Sequence, residues 1–243
     1  MGKVEELQAL ARATTSTPET YWSAVDFERQ ASDAKDWRIR AEDESGISRS
    51  GLTFSQVLEQ LRMCRYPVVV QEMLHSAYSG VTYFAEGGFT FTEWVRGDST
   101  GLLRGGDTGS RWVMEGDSCK WNSGASARGV FESWMQGIGS LHVSTPTLLE
   151  WIVVPSGGFY WVDLKVMLPG FLAEVPAAGS GWTVSRGTLV QGSDYAFDRP
   201  SLGTLDLFKQ GPPREVLYSK GSPLAHACTR LHLSGASVAV LLP

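Results

Sequence analysis

His226 stands where an imidazole could act on phosphorus. Gly221-Ser222-Pro223 forms a turn signal, and Ala225-His226-Ala227 begins a helix-like pattern that runs on to Leu233. A histidine at a helix start lies beside unsatisfied backbone N–H groups, which favour an anion. Imidazole is also nucleophilic near neutral pH and can carry a phosphoryl group covalently. A second cluster lies in the run from Leu148 to Lys165, where two apolar stretches flank Pro155-Ser156-Gly157-Gly158. That pattern predicts a β-hairpin. On paired strands Glu150 and Asp163 can fall opposite one another, with Lys165 on the face of Asp163. Two carboxylates and an ammonium on one face suit Mg–ATP: hard oxygens for Mg²⁺ and a cation for phosphoryl oxygens.

The other histidines fit this chemistry less well. His75 follows an apolar strand pattern and His142 precedes the hairpin without nearby glycine support. His232, six residues after His226, points about 120° away from it around a helix.

Around these residues the pattern predicts amphipathic helices over Val4–Ala13 (Leu7, Leu10 and Ala11 on one face), from Pro18 through Trp22 and Phe27 to Ala34, over Leu52–Arg62, and over Gly129–Ser140. Strands are predicted at Trp37, over Val68–Leu74 and Ser79–Phe84, and over Phe89–Val95 and Arg111–Met114. The run from Cys119 to Ala127 reads as a loop. Pro169 to Gly181, rich in Pro, Ala, Gly and Ser, reads as a linker.

Composition bounds the class. The chain has 243 residues, 42% hydrophobic and 19% charged, with 27 glycines and 9 tryptophans. Such a chain should fold, with strands and tight turns rather than a helical bundle. A net charge of −5 without a basic stripe argues against nucleic acid or an anionic membrane as partner. Three cysteines without Cys-x-x-Cys spacing indicate neither a disulfide framework nor a thiolate zinc site. With no secretory pattern and no apolar run of about 18 residues, the expectation is a soluble cytoplasmic protein.

The run Lys220-Gly221-Ser222-x-x-Ala225-His226-Ala227 resembles the phosphohistidine segment of the phosphoenolpyruvate synthase, pyruvate phosphate dikinase and rifampin phosphotransferase family, with Ser222 in place of a glycine and Ala225 in place of a serine. Three upstream runs are similar to that family's ATP-grasp nucleotide domain. Val68-Val69-Val70-Gln71-Glu72-Met73-Leu74 followed by Ser79-Gly80-Val81 is the most specific of them. Glu42-Asp43-x-x-Gly46-x-Ser48-x-x-Gly51 behind an arginine-bearing strand is the second. The hairpin with Glu150-Trp151 is the third, with Leu148, Asp163 and Lys165 standing for an aspartate, a glutamine and an arginine.

This resemblance, over about residues 37 to 243, implies an α+β chain: a truncated ATP-grasp domain (1–168), a linker (169–181) and a small α/β swivelling phosphohistidine domain (182–243). It implies Gln71, Glu72, Met73 and Leu74 as the adenine hinge, and Arg40, then Arg38, on the ATP phosphates. Glu93 would face the ribose or the metal, Glu150 and Asp163 would hold Mg²⁺, Lys165 would touch phosphate and His226 would carry the phosphoryl group. ATP and Mg²⁺ would be the cofactors, and the acceptor a small molecule or one supplied by a partner protein. A dikinase-like phosphotransferase is the first reading. A non-catalytic nucleotide-binding or regulatory relative and an ATP-grasp ligase are the alternatives. The family's substantial N-terminal subdomain with its phosphate-binding lysine, and the barrel for phosphoenolpyruvate, have no counterpart in these runs, so a compact relative is expected.

Overall fold

Helix α1 (Lys3–Ala13) buries Leu7, Leu10 and Ala13 along one face and packs on the hairpin strand that carries Asp163. Ala11, expected on that face, is exposed. The computed structural model describes residues 2–41, 48–64, 67–86, 88–115, 118–121, 128–143, 146–172, 182–184 and 195–240. Within them the chain is α+β, with three sheets.

The first sheet contains β1 (Thr20–Tyr21), β2 (Trp37–Ala41), β3 (Ser48–Leu52) and β4 (Val68–Glu72), in the order β1-β4-β2-β3 and antiparallel throughout. Helices α2 (Ala24–Gln30) and α3 (Phe54–Met63) cover it, and Phe27 and Val57 pack with Tyr21, Trp37, Ile39 and Val70. Two expected helix starts move. The helix expected from Pro18 begins at Ala24, because Thr20 and Tyr21 pair with Gln71 and Val70 and the Ser23 hydroxyl caps the helix by accepting from the Asp26 amide. Leu52 is the last residue of β3, opposite Trp37. Thr53 and Gln56 then form a reciprocal capping box that starts α3 at Phe54.

The second sheet is built from β5 (Tyr78–Phe84), β6 (Phe89–Arg96), β7 (Ser110–Glu115), β8 (Ser118–Trp121), β9 (Thr147–Val153) and β10 (Phe159–Val166). Its order is β10-β9-β5-β6-β7-β8, again antiparallel. Strand β8 occupies the start of the run expected as a loop; residues 122–127 lie outside the described residues. Helix α4 (Arg128–Gly139) packs over one face, where the indole N–H groups of Trp134 and Trp151 both reach the buried Thr82 hydroxyl, at 2.9 and 3.0 Å. Strands β4 and β5, adjacent in sequence, belong to different sheets, so residues 73–77 cross from one to the other.

The third sheet is mixed: β11 (Trp182–Val184), β12 (Tyr195–Phe197), β13 (Glu215–Tyr218) and β14 (Ser237–Val240), ordered β11-β14-β13-β12. Strands β13 and β14 are parallel, which requires a crossover, and α5 (His226–Leu233) supplies it. The apolar side of α5 does not form a separate core. Leu224, Cys228 and Leu231 share one cluster with Val81, Phe91 and Leu148 of the second sheet. Phe171 and Leu172, at the start of the expected linker, are buried in that cluster; residues 173–181 and 185–194 lie outside the described residues. Among the described residues no helix is long and apolar enough to cross a membrane.

Candidate active site

One cleft of about 450 Å³ gathers residues from the first and second sheets and from α1 and α5. Of the residues singled out in the sequence, Arg38, Arg40, Gln71, Glu72, Met73, Leu74, Glu150, Asp163, Lys165 and His226 line it. Glu93 does not.

Strand β2 presents Arg38 and Arg40, two residues apart and therefore on one face. Arg40 is committed within the protein: its Nη1 donates to Asp163 Oδ2 at 2.9 Å. Arg38 has no ion pair among the described residues, and its buried Nε has no hydrogen-bond partner. Burial lowers its pKa, and the neighbouring Arg40 charge adds to that. Of the two arginines expected on phosphate, Arg40 is thus paired with a carboxylate and Arg38 is not.

The hinge is partly occupied by the fold. The Glu72 amide donates to Glu19 O and the Met73 amide to Asp36 O, both at 2.8 Å. Leu74 makes no main-chain hydrogen bond among the described residues.

On the hairpin a bulge between Trp161 and Asp163 brings Asp163 opposite Glu150. Asp163 is then enclosed by cations. Its Oδ1 accepts from Lys3 Nζ at 2.8 Å and from the Leu164 amide at 2.9 Å, while Arg40 holds Oδ2. Burial would raise its pKa, but Arg40 and Lys3 outweigh that and hold the carboxyl well below the usual range. Lys3 also contacts Glu6 at 2.7 Å; burial opposes its charge, and the two carboxylates reverse the effect and raise its pKa.

Glu150 Oε1 lies 3.0 Å from His226 Nε2. Burial pushes the Glu150 carboxyl up, and the His226 hydrogen bond with the Arg40 charge brings it below the ordinary value. Both carboxylates expected to hold Mg²⁺ thus have partners within the protein, Asp163 in Lys3 and Arg40 and Glu150 in His226. No group of three or more His, Cys, Asp or Glu side chains suited to a metal occurs among the described residues.

His226 is the first residue of α5, as the turn signal predicted. The turn before it is tightly fixed. Gly221 has φ +120°, and a Cβ there would lie 2.5 Å from Gly106 O, so only glycine fits. The Ser222 amide donates to Gly106 O at 3.1 Å, and the Ser222 hydroxyl donates to Glu93 Oε2. Glu93, expected to face the ribose or the metal, is fully buried: its other oxygen accepts from Arg111 Nε at 2.7 Å. Burial raises its pKa despite the Arg111 charge. It anchors the histidine turn instead of touching a nucleotide. His232 points elsewhere, with Nε2 3.1 Å from Leu168 O and its ring against Phe171.

Lys165 carries no ion pair among the described residues; burial lowers its pKa, with the Glu6 and Asp163 charges opposing that shift and the Lys3 and Arg230 charges adding to it. Three cleft cations escaped the sequence reading: Lys3, Arg104 and Arg230. Arg230 follows His226 by four residues, one helical turn on the same face, and that spacing could have indicated it. Nothing in the sequence links Lys3 to Asp163, 160 positions away. The lining holds six cations (Lys3, Arg38, Arg40, Arg104, Lys165, Arg230) against four carboxylates (Glu72, Asp98, Glu150, Asp163), in a chain whose net charge is −5.

No protein-family model matches the chain, and no curated protein does. Among solved structures it is similar to the macrocyclase MdnC from Microcystis aeruginosa bound with precursor peptide MdnA, at 15% identity over 67% of this chain and 51% of that one, TM-score 0.37. It is similar also to the ATP-grasp ligase PsnB complexed with a minimal precursor (14%, 68% and 51%, TM-score 0.38). A third is the N5-carboxyaminoimidazole synthetase from Staphylococcus aureus complexed with ADP (9%, 67% and 43%, TM-score 0.42). The chain spans about half or less of each of these proteins. TM-scores of 0.42 and below are too low to assign a fold from the likeness, and the residues of the cleft carry the functional reading.

Proposed function

We propose that the chain is an ATP-dependent enzyme of ATP-grasp type that transfers the γ-phosphoryl group of Mg–ATP to an acceptor carboxylate, as a ligase does. The observation that carries this reading is the set of cleft cations left without carboxylate partners among the described residues: Arg38, Arg104, Lys165 and Arg230. Four cations without an ion-pair partner in one cleft, Arg38 with an orphaned buried Nε, Lys165 half-buried, and Arg104 and Arg230 exposed to an entering ligand, match a polyanion such as a triphosphate. The adenine would sit against Met73 and Leu74, taking the Leu74 amide, with Ile152 and Val162 as apolar walls.

Glu150, together with the nucleotide's own phosphates, would hold a magnesium ion, which supplies charge neutralisation at the transferring group. Arg38 orients and neutralises the phosphates. Asp163 keeps Arg40 and Lys3 in place at the cleft wall. His226, fixed by Glu150, borders the space an acceptor would enter.

A ligase is favoured over a phosphohistidine relay because His226 is not built to travel. Leu224, Ala225, Ala227 and Cys228 are fully buried, and α5 shares its core with the second sheet. Swinging the histidine to a distant acceptor would open that core and break the contacts of Ser222 with Glu93 and Gly106. The second reading, dikinase-like transfer through His226, rests on its place at a helix N-terminus beside the unpaired cations. It then requires an acceptor that enters the same cleft. Product analysis separates the two: direct transfer releases ADP and leaves no base-stable label on the protein. The dikinase-like route releases AMP and phosphate and leaves acid-labile, base-stable label that His226→Ala abolishes.

A further inference from the structure

Three segments meet at the Asp163 carboxylate. Lys3, the first residue of α1, brings Nζ to 2.8 Å from Oδ1, and Glu6, one turn on in the same helix, accepts from that ammonium at 2.7 Å and holds its aim. The Leu164 amide donates to the same Oδ1 at 2.9 Å. Arg40, on β2, donates to Oδ2 from Nη1 at 2.9 Å. The Arg40–Asp163 pair therefore ties the first sheet to the second at the cleft wall, with side chains only 7% and 15% exposed. Arg38 stands two residues before Arg40 on the same face of β2, about 7 Å away along the strand.

We propose that Lys3 is a positioning residue for the nucleotide: its hold on Asp163 lets Arg40 leave that carboxylate and turn to the phosphates. This rests on the proposed function and adds a partner exchange to it. A triphosphate seated on Arg38 is long enough to come within reach of Arg40. A largely buried carboxylate cannot release its last cation, because an uncompensated charge would remain. With Lys3 and the Leu164 amide on Oδ1, Asp163 keeps a cation and two hydrogen bonds when Arg40 departs, and water from the cleft takes its place at Oδ2. The guanidinium exchanges one anion for another and is never left unpaired. Without Lys3, Arg40 would be the sole countercharge of Asp163 and would stay on it. Lys3 itself does not touch the nucleotide; it acts through Asp163 and Arg40.

The test is calorimetric titration of Mg–ATP into the full chain and its variants. Lys3→Met is expected to weaken binding about tenfold and at least threefold, and Lys3→Arg to recover most of the loss. Arg40→Met should weaken binding by a similar factor, with less than about threefold further loss when Lys3→Met is added, since both act through one contact. Asp163→Asn removes the carboxylate that detains Arg40, so adding Lys3→Met to it should likewise cost less than about threefold. A merely structural role for Lys3 would not give that rescue. A loss below about threefold in Lys3→Met or in Arg40→Met would overturn the exchange. So would a larger loss than this when Lys3→Met is added to Asp163→Asn or to Arg40→Met. Where Asp163→Asn is too unstable to titrate, the Arg40 cycle decides alone. A wild type that fails to bind Mg–ATP would instead overturn the proposed function itself.

Discussion

Glu93 and Ser222, 129 residues apart, meet in the buried seam between the second sheet and the histidine turn, where the Ser222 hydroxyl donates to the Glu93 carboxylate. The same hydroxyl oxygen accepts from the Leu224 amide at 3.1 Å. Removing it takes a donor from the buried Glu93 carboxyl and an acceptor from the buried Leu224 amide. Ser222→Ala is therefore expected to lower stability by about 1–3 kcal/mol, read as a shift of the urea midpoint at constant slope. An unchanged midpoint would mean that the contact does not hold the turn.

Asp163 should show its role in the pH dependence of stability. Its folded pKa lies below the ordinary value, so its charged form is favoured by folding. That contribution is full above the unfolded carboxyl value of about 4 and declines as the pH falls through the lower folded value. Asp163→Asn leaves Arg40 and Lys3 without their shared carboxylate and should cost about 3–5 kcal/mol at pH 7. The gap from the wild type should narrow at pH 3. A gap of equal size at both pH values would contradict the ion-pair account.

His232 provides a control for His226. It hydrogen-bonds Leu168 O and packs on Phe171, away from the cleft. His232→Ala should lower stability by about 1–3 kcal/mol and leave Mg–ATP affinity unchanged. A loss of affinity as large as that of Arg38→Met would place His232 in the site.

Gly80 tests the packing beneath Glu93 and Glu150. A Cβ there would meet Trp151 Cζ2 at 2.4 Å and Glu93 O at 2.7 Å. Gly80→Ala should destabilise by about 1–3 kcal/mol or more, because the surrounding core cannot give way. A melting temperature equal to the wild type's would show that Trp151 is free to move.

The elements around the site were legible where local chemistry decides them. The hairpin was marked by its Pro-Ser-Gly-Gly turn between apolar runs, and the α5 start by Gly221-Ser222-Pro223. The helix expected from Pro18 failed because pairing of Thr20 and Tyr21 with β4 overrode local propensity. Glu93 was misread because its partners, Arg111 and Ser222, are set by tertiary contact. Opposition of Glu150 and Asp163 was anticipated, but the bulge at Val162 that produces it was not. Likewise, the pairing of Asp163 with Lys3 and Arg40 joins three distant segments that no spacing rule connects.

The central claim, a triphosphate seated by the unpaired cations, is tested most directly by calorimetric titration of Mg–ATP into the wild type and Arg38→Met. Filling the orphaned Arg38 Nε with a charge-assisted hydrogen bond is worth about 1.5–3 kcal/mol. The account predicts one-site binding to the wild type, weakened roughly ten- to a hundredfold in Arg38→Met. Equal affinity in the two proteins, or no binding to the wild type at millimolar Mg–ATP, would contradict it.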